Sequence, residues 1–351
     1  MLDLDGDGVW DPRNPSTPAV FADPATETII DGSNIAPPSI IVGVDAVILI
    51  GHDNRVERLT VRNYAGLGLI AATLEPTKGG LQAEVVDCIV ENSPRGVSFG
   101  NLGATLSGLN SRFTFERNIV RQHSVAGAII LNFALATDAR VNALVRYNRF
   151  YNNNVGLFVL SGAAADNGEA EVVSEGNIAE QNRLGLALFG GQDDLPFGLP
   201  QGNNSGQLRF TSVGDAIWNN VGSGGVVAIG GFRRNSSAGT SSNNDVRLQF
   251  LGIRFVKGEG PENRSGASRR DLRIFGGLGG GGVVPGSGNT VEILVRHATS
   301  DGADGAFFVK AADCLPGAPN TVTVIGSPMD FAHANDGVDS PPSECFSSLQ
   351  H

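Results

Sequence analysis

The sequence predicts an all-β chain wound as a parallel solenoid, with about nine coils of roughly 30 residues each. Three observations carry that prediction. Glycine makes up 48 of 351 residues, nearly twice the usual share of about 7%, and each Gly inside a helix costs about 1 kcal/mol relative to Ala. One phrase of strand, polar turn, strand, corner and strand recurs along the chain. Its third strand alternates apolar residues with period two, the spacing of one sheet face.

The phrase is clearest in NALVRYNRFYNNNVGLFVLSG from Asn142. It returns in AEVVSEGNIAEQNRLGLALFG from Ala170 and RFTFERNIVRQHSVAGAIILN from Arg112. Its corner glycines are Gly66, Gly96, Gly127, Gly156, Gly185, Gly225 and Gly305. The first five are spaced by 30, 31, 29 and 29 residues, and the next step is 40. An extra copy around Asp271 fills the gap before Gly305. The polar turn between the first two strands holds Asp87, Asn118, Asn148, Asn177, Asp215, Gly252, His297 and Pro328, types that tolerate tight or left-handed turns. The corner holds Asn63, Asn92, Asn152, Asn182, Asn219, Asp301 and Asn335, whose stacked amides are expected to satisfy backbone groups at the bend. In the third strand, Leu67, Val97, Ala128, Leu157, Leu186, Val226, Leu272 and Ala306 take the first inward position. Leu69, Phe99, Ile130, Val159, Leu188, Ala228, Ile274 and Phe308 take the second. Each coil buries that face only by stacking on its neighbours.

TIIDGS (28–33) followed by RVERLTVRNYAGLGLIA (55–71) resembles the first coils of the pectate-lyase-like superfamily of right-handed parallel β-helix proteins. The resemblance covers roughly residues 28–340. It implies a single-stranded right-handed parallel β-helix, with an acidic segment before it (1–27) and a cap or tail after it (341–351). For function it implies little, because lyases, hydrolases, epimerases and non-catalytic surface proteins share the fold. A leucine-rich repeat would need an L-x-x-L-x-L spacing that is absent. Connections after the third strand lengthen in the C-terminal half, at 191–207, 231–245 and 277–289, with a further insertion at 258–270. Such insertions either wall a binding face or are tolerated surface loops.

The N-terminal DLDGDGVWD sets Asp3, Asp5, Asp7 and Asp11, with Gly8, at the spacing of a calcium loop. Hard oxygen ligands at alternate positions are what Ca²⁺ takes. The segment resembles the loops of dockerin and thrombospondin type 3 repeats, with Asn14 where an EF-hand has its bidentate Glu. The other reading is a flexible acidic linker. Loops of this kind join extracellular domains, so a secreted or cell-surface chain, cut from a longer one, is expected. Nothing at the start has the pattern of a signal peptide. Cys314 and Cys345 flank the last coil, and a disulfide between them would fit an oxidising compartment. Cys88 reads as a buried thiol at a strand position filled elsewhere by Ile119, Ile178 and Ile253.

With 36 acidic against 25 basic residues the formal charge is −11, which argues against nucleic acid or an anionic membrane surface as partner. The longest apolar run, 46–50, is far below the roughly 18 residues of a membrane span. Lys occurs only at Lys78, Lys257 and Lys310; the preference for Arg fits a GC-rich bacterial genome.

Candidate chemistry gathers in the late loops. Asp193 and Asp194, in LALFGGQDD, faintly resemble the paired Asp of polygalacturonases. That family's N-T-D, G-H-G and R-I-K are missing, as are the R-x-P-x-x-R of pectate lyases and the D-P-H-E of mannuronan epimerases. Arg233 and Arg234 lie one coil later, and Lys257, Arg264, Arg269 and Arg270 in the next. Coils stack about 4.8 Å apart, so these groups would share one groove. Asp193, Asp194, Arg233 and Arg270 would then serve β-elimination of a uronate, or hydrolysis by paired carboxylates. Arg234, Lys257 and Arg269 would bind the chain. The alternative is a set of exposed, salt-bridged loops. Tyr151 and Trp218, at matching places in neighbouring coils, either form a sugar platform or pack at a corner. None of the five histidines has metal-ligand spacing, and structural roles are expected. The outward positions Ile129, Leu131, Phe158, Leu160, Phe189, Val227, Ile229, Phe307 and Val309 are apolar. A bare stripe of that kind is unusual for a monomer, so the long loops or a second copy are expected to cover it. The expected function is an extracellular β-helix module that binds glycans or self-associates. The alternative is a divergent polysaccharide lyase or glycoside hydrolase acting on acidic polysaccharide.

Overall fold

The computed structural model describes residues 28–33, 47–49, 53–73, 80–101, 108–133, 138–163, 166–192, 203–218, 220, 224–233, 241–256, 272–279, 286–300, 307–310, 320–326 and 348–350. A single coil shows how the sequence builds the fold. Its strands are Arg140–Arg146, Arg149–Tyr151 and Val155–Ala163. Tyr147 and Asn152 end the first two strands in the left-handed region, at φ 57° and 52°. Each is followed by a fully or nearly fully buried Asn, Asn148 and Asn153. A left-handed residue turns the chain, and the buried amide after it satisfies the backbone inside the bend.

Stacking of such coils gives three parallel sheets among the described residues, with ten, nine and nine strands. Every strand pairs in parallel with its counterpart one coil away; for instance Ala143 pairs with Phe113 before it and Val172 after it. Three such sheets, visited in turn, make a right-handed parallel β-helix, the hand that parallel crossovers take. A small fourth sheet joins Asn203–Asn204 to Ser241–Ser242. Ser348–Gln350, in the stretch read as a cap, adds a last strand beside Thr321–Gly326. No helix among the described residues is long and apolar enough to cross a membrane.

One apolar core runs up the axis. Phe99, Phe115, Phe150, Phe210 and Phe250 are among its largest fully buried side chains. The rings meet from coil to coil, Phe99 with Phe113 at 5.1 Å and Phe115 with Phe150 at 6.2 Å between centroids. The inward third-strand residues predicted from Val97 to Ile274 all belong to this core.

The ends of the repeat differ in register from the sequence reading. The glycine column begins at Gly68, not Gly66: Leu69 pairs with Val97, whereas Leu67 pairs with Arg95. Gly is needed there because a Cβ at Gly156 would sit 2.6 Å from the Gly185 carbonyl, and one at Gly185 equally close to that of Gly225. At the far end Phe307 and Val309 take the register of the core residues Leu272 and Ile274, where the pattern had placed Ala306 and Phe308. Counting from a glycine shifts by one or two residues where a loop intervenes, and one residue exchanges the two faces.

The two predicted turn ladders each resolve into two columns. In the first turn Arg58, Asp87, Arg117, Tyr147, Gly176, Gly214, Gly252 and His297 have positive φ. The next residues are buried: Cys88, Asn118, Asn148, Asn177, Asp215 and Ile253. Cys88 therefore aligns with Asn118, not with Ile119. Its thiol is buried as expected, and loss of solvent pushes its pKa up to about 11. Each asparagine side chain accepts the backbone N–H of the coil before it, Asn148 Oδ1 from Asn118 at 2.9 Å and Asn177 Oδ1 from Asn148 at 2.9 Å. Each amide also donates to a carbonyl of the preceding coil, Asn148 Nδ2 to Phe115 at 2.8 Å. A third Asn column, Asn244, Asn289 and Asn320, repeats the scheme where the chain enters the first sheet.

At the corner the buried column is Tyr64, Ser93, His123, Asn153, Asn182 and Asn220. His123 imitates an asparagine. Its Nδ1 lies 3.4 Å from the Ser93 N–H and its Nε2 3.0 Å from the Val90 carbonyl; Asn153 Nδ2 makes the matching bond to Val120 at 3.0 Å. Burial lowers the His123 pKa below its ordinary value of 6.5. The unfolded chain thus binds this proton more readily, and stability held above about pH 6.5 is lost as pH falls towards the lower folded value. His123→Asn is expected to fold and to lose that part of the acid sensitivity; denaturant midpoints of the two proteins between pH 7.5 and 5 measure it.

Candidate functional site

Most of the sequence-predicted site lies outside the described residues. This holds for Asp3, Asp5, Asp7 and Asp11 of the calcium loop, for Asp193, Asp194, Arg234, Lys257, Arg264, Arg269 and Arg270, and for Cys314 and Cys345. Among the described residues no three His, Cys, Asp or Glu side chains converge as a metal site. Arg233 is described. It ends the strand Gly224–Arg233, half-buried and in register with Gly279. Gln192, the residue before Asp193, bridges to Phe232, the residue before Arg233.

Tyr151 and Trp218 are both described, and the second sheet brings them together. Tyr151 pairs in register with Glu180, and Glu180 with Trp218. The two rings therefore share one outward column but stand two coils apart, not one as the sequence suggested. The reason is local. Each second-sheet strand here has three residues, with the middle one in the core, as Phe150, Ala179 and Ile217 are. Period two then sends the first and third residues outward, which places Arg149 and Tyr151 on one strand and Ile178 and Glu180 on the next.

Glu180, the step between the rings, is ion-paired with Arg149 of the Tyr151 strand. Arg149 Nη2 lies 3.0 Å from Glu180 Oε2, and both side chains are largely buried, at 12% and 5% exposure. The same guanidinium sits over the Tyr151 ring, 5.4 Å from its centroid, within the range of a cation–π contact. Removal from solvent raises the Glu180 pKa, against the pull of Arg149. A desolvated pair of this kind is held by geometry, since each ion would be costly alone. Tyr151 and Trp218 are half-buried and flank the buried Glu180. Arg149 and Glu180 escaped the sequence reading. A signal was there: in copies 29–30 residues apart, Arg149 stands where Ile119 and Ile178 are apolar.

The predicted outer stripe of the third sheet is largely buried within the chain itself. Leu160 is 4% and Ile229 2% exposed, and Ile129 and Val227 are buried as well. Leu131, Phe158 and Phe189 are half-buried. Phe158, Phe189 and Phe232 form a run of ring contacts at 5.0 and 5.6 Å.

The outer face of the first sheet is charged and paired. Arg146 meets Glu116 at 2.7 Å, Arg140 pairs with Glu169, and Arg55 with Glu84. Such exposed or half-exposed pairs contribute little each. No protein-family model, curated protein or solved structure matches the chain.

Proposed function

We propose that this chain is a secreted or cell-surface β-helix module that binds a glycan on the outer face of its second sheet. One observation carries the reading: Tyr151 and Trp218 stand half-buried in a single register column, with Glu180 between them and Arg149 paired to it. Aromatic rings offer large apolar area with little side-chain entropy to lose, and sugar rings present an apolar C–H face to such surfaces. The likeness of the repeat to the pectate-lyase-like superfamily supports a carbohydrate partner, and Ca²⁺ at Asp3, Asp5, Asp7 and Asp11 belongs to the same reading.

A second reading, a divergent polysaccharide lyase or glycoside hydrolase, draws on the bridge between Gln192 and Phe232 that precedes Asp193 and Arg233. A panel of soluble polysaccharides in affinity electrophoresis separates the two. Retardation without unsaturated products or new reducing ends is expected. Trp218→Ala and Tyr151→Ala should each weaken binding by about tenfold, the scale of one lost ring contact. Arg112→Ala, on the first sheet, should leave it unchanged. Retardation that ignores both ring substitutions would remove the proposed face, and steady product release would establish the enzyme.

A further inference from the structure

The outer face of the first sheet carries an order that no single coil needs. Across successive strands from Asn110–Glu116 to Thr290–Arg296, the middle outward column is uncharged: Thr114, Leu144, Val173, Thr211, Gln249 and Leu294. Near its centre Val173 is 38% exposed, and Val213 on the next strand 40%. Charges flank this column on both sides. On one side the order is Arg112, Asn142, Glu171, Arg209, Arg247 and Glu292. On the other, Glu116, Arg146 and Glu175 lead through Val213 and Leu251 to Arg296. Arg146 pairs with Glu116 and Arg247 with Asp245 inside the chain. Arg112, Glu171, Glu292 and Arg296 are exposed and make no ion pair among the described residues.

We infer that a second copy of this chain packs face to face on this sheet, about a two-fold axis parallel to the strands and midway between Glu169–Glu175 and Gln207–Val213. Such an axis lies in the interface, reverses the order of the strands and keeps their direction, so the two solenoids run antiparallel. It sets Glu171 of one copy opposite Arg209 of the other, Arg112 opposite Glu292, Glu116 opposite Arg296 and Arg140 opposite Asp245, each twice by symmetry. No charge along these strands then faces its own sign. Other placements of the axis fail. A shift of half a strand sets Arg209 on its own copy or Arg112 on Arg247; a whole strand sets Arg209 on Arg247 or Arg112 on Arg209. Like charges brought together in this way exclude a register. In the favoured one, Val173 and Val213 stand beside the axis and the uncharged columns face each other, an apolar centre with charged margins. Strands about 4.8 Å apart and residues rising about 3.3 Å make a face of roughly 29 by 23 Å. Two such faces bury about 1,300 Å², at the lower end of stable interfaces. The dimer leaves the second sheet free and is independent of the glycan reading.

The test is sedimentation velocity of the full chain and of two charge reversals, with circular dichroism to verify that each variant keeps the fold. The wild-type chain is expected to dimerise at tens of micromolar or below, the order of a small, polar-rimmed interface. Glu171→Arg places arginine opposite Arg209 twice, and Arg209→Glu places glutamate opposite Glu171 twice. Each is expected to weaken the dimer about a hundredfold, tenfold for each of two repulsive contacts. Mixing the two variants is the decisive arm. In the mixed dimer every such contact again joins opposite signs, so association is expected to return to within about tenfold of wild type. A local loss of structure in either variant would not be repaired by mixing. A wild-type chain that stays monomeric at several hundred micromolar would overturn the inference. So would a dimer that ignores both reversals, or one that both weaken and mixing does not restore.

Discussion

Replacing Asn148 by alanine is expected to destabilise the fold by about 4 kcal/mol, from several stranded polar groups at about 1–3 kcal/mol each. Asn148 is fully buried. Its Oδ1 accepts both the backbone N–H and the side-chain amide of Asn118 at 2.9 Å. Its Nδ2 donates to the Phe115 carbonyl at 2.8 Å and to Asn177 Oδ1 at 3.0 Å. Alanine removes all four bonds and admits no substitute, because the column is closed to solvent. Asn142→Ala is the control. Asn142 donates to Asn110 Oδ1 on the exposed face, and its loss is expected to cost less than about 0.5 kcal/mol. Urea unfolding followed by circular dichroism measures both. Equal effects would show that the buried columns do not hold the coils together.

The opposite sign is expected two coils further along. Asp215 is fully buried in the same column, and its partners among the described residues are Asn177, Ser212 and Ser174. Its carboxylate accepts the Asn177 backbone N–H at 2.7 Å, the Asn177 amide at 3.1 Å and the Ser212 hydroxyl at 2.6 Å. Desolvation outweighs these bonds and raises its pKa. A raised folded pKa means that the folded chain holds the proton more tightly. The stability tied to this proton is full below the unfolded value of about 3.8 and is lost as pH rises through the folded value. Asp215→Asn removes the buried charge. Its amide would repeat at the Ser174 carbonyl the bond that Asn177 Nδ2 makes to Val145 at 2.8 Å. Stabilisation of about 1–2 kcal/mol is expected at pH 7, shrinking as pH falls. Denaturant midpoints of both proteins at pH 7 and pH 4.5 check it. A destabilised Asp215→Asn at neutral pH would mean that the charge itself is needed there.

Much of the architecture is legible in the sequence because stacking makes every coil solve the same problem. The inward residues from Val97 to Ile274 follow from period two alone. The columns of asparagine were visible as ladders. Their division into a left-handed residue and a buried one was not, because Asp87 and Asn118 look alike on paper yet differ by one place. Cys88 and His123 show a further limit. Both sit in polar columns through hydrogen bonds that side-chain type alone does not announce. The Ser174, Ser212 and Asp215 group was equally hidden, since these serines occupy a column filled elsewhere by Val85, Phe115, Val145 and Phe250. At the candidate site the two rings were legible and their spacing was not. The count from copy to copy passes through a longer connection before Trp218, and only the strand register shows that Glu180 lies between the rings. The late loops carry the remaining candidates, and nothing in a repeat pattern fixes where insertions between its copies go.

The most direct test of a glycan face on the second sheet reads Trp218 itself. In a Trp10→Phe background, Trp218 is the sole indole of the chain. Titration with the polysaccharide that retards the chain in affinity electrophoresis is expected to shift its fluorescence and protect it from acrylamide, with saturation at the affinity measured by calorimetry. Unchanged emission and quenching of Trp218 at a concentration where calorimetry reports the site full would contradict the account.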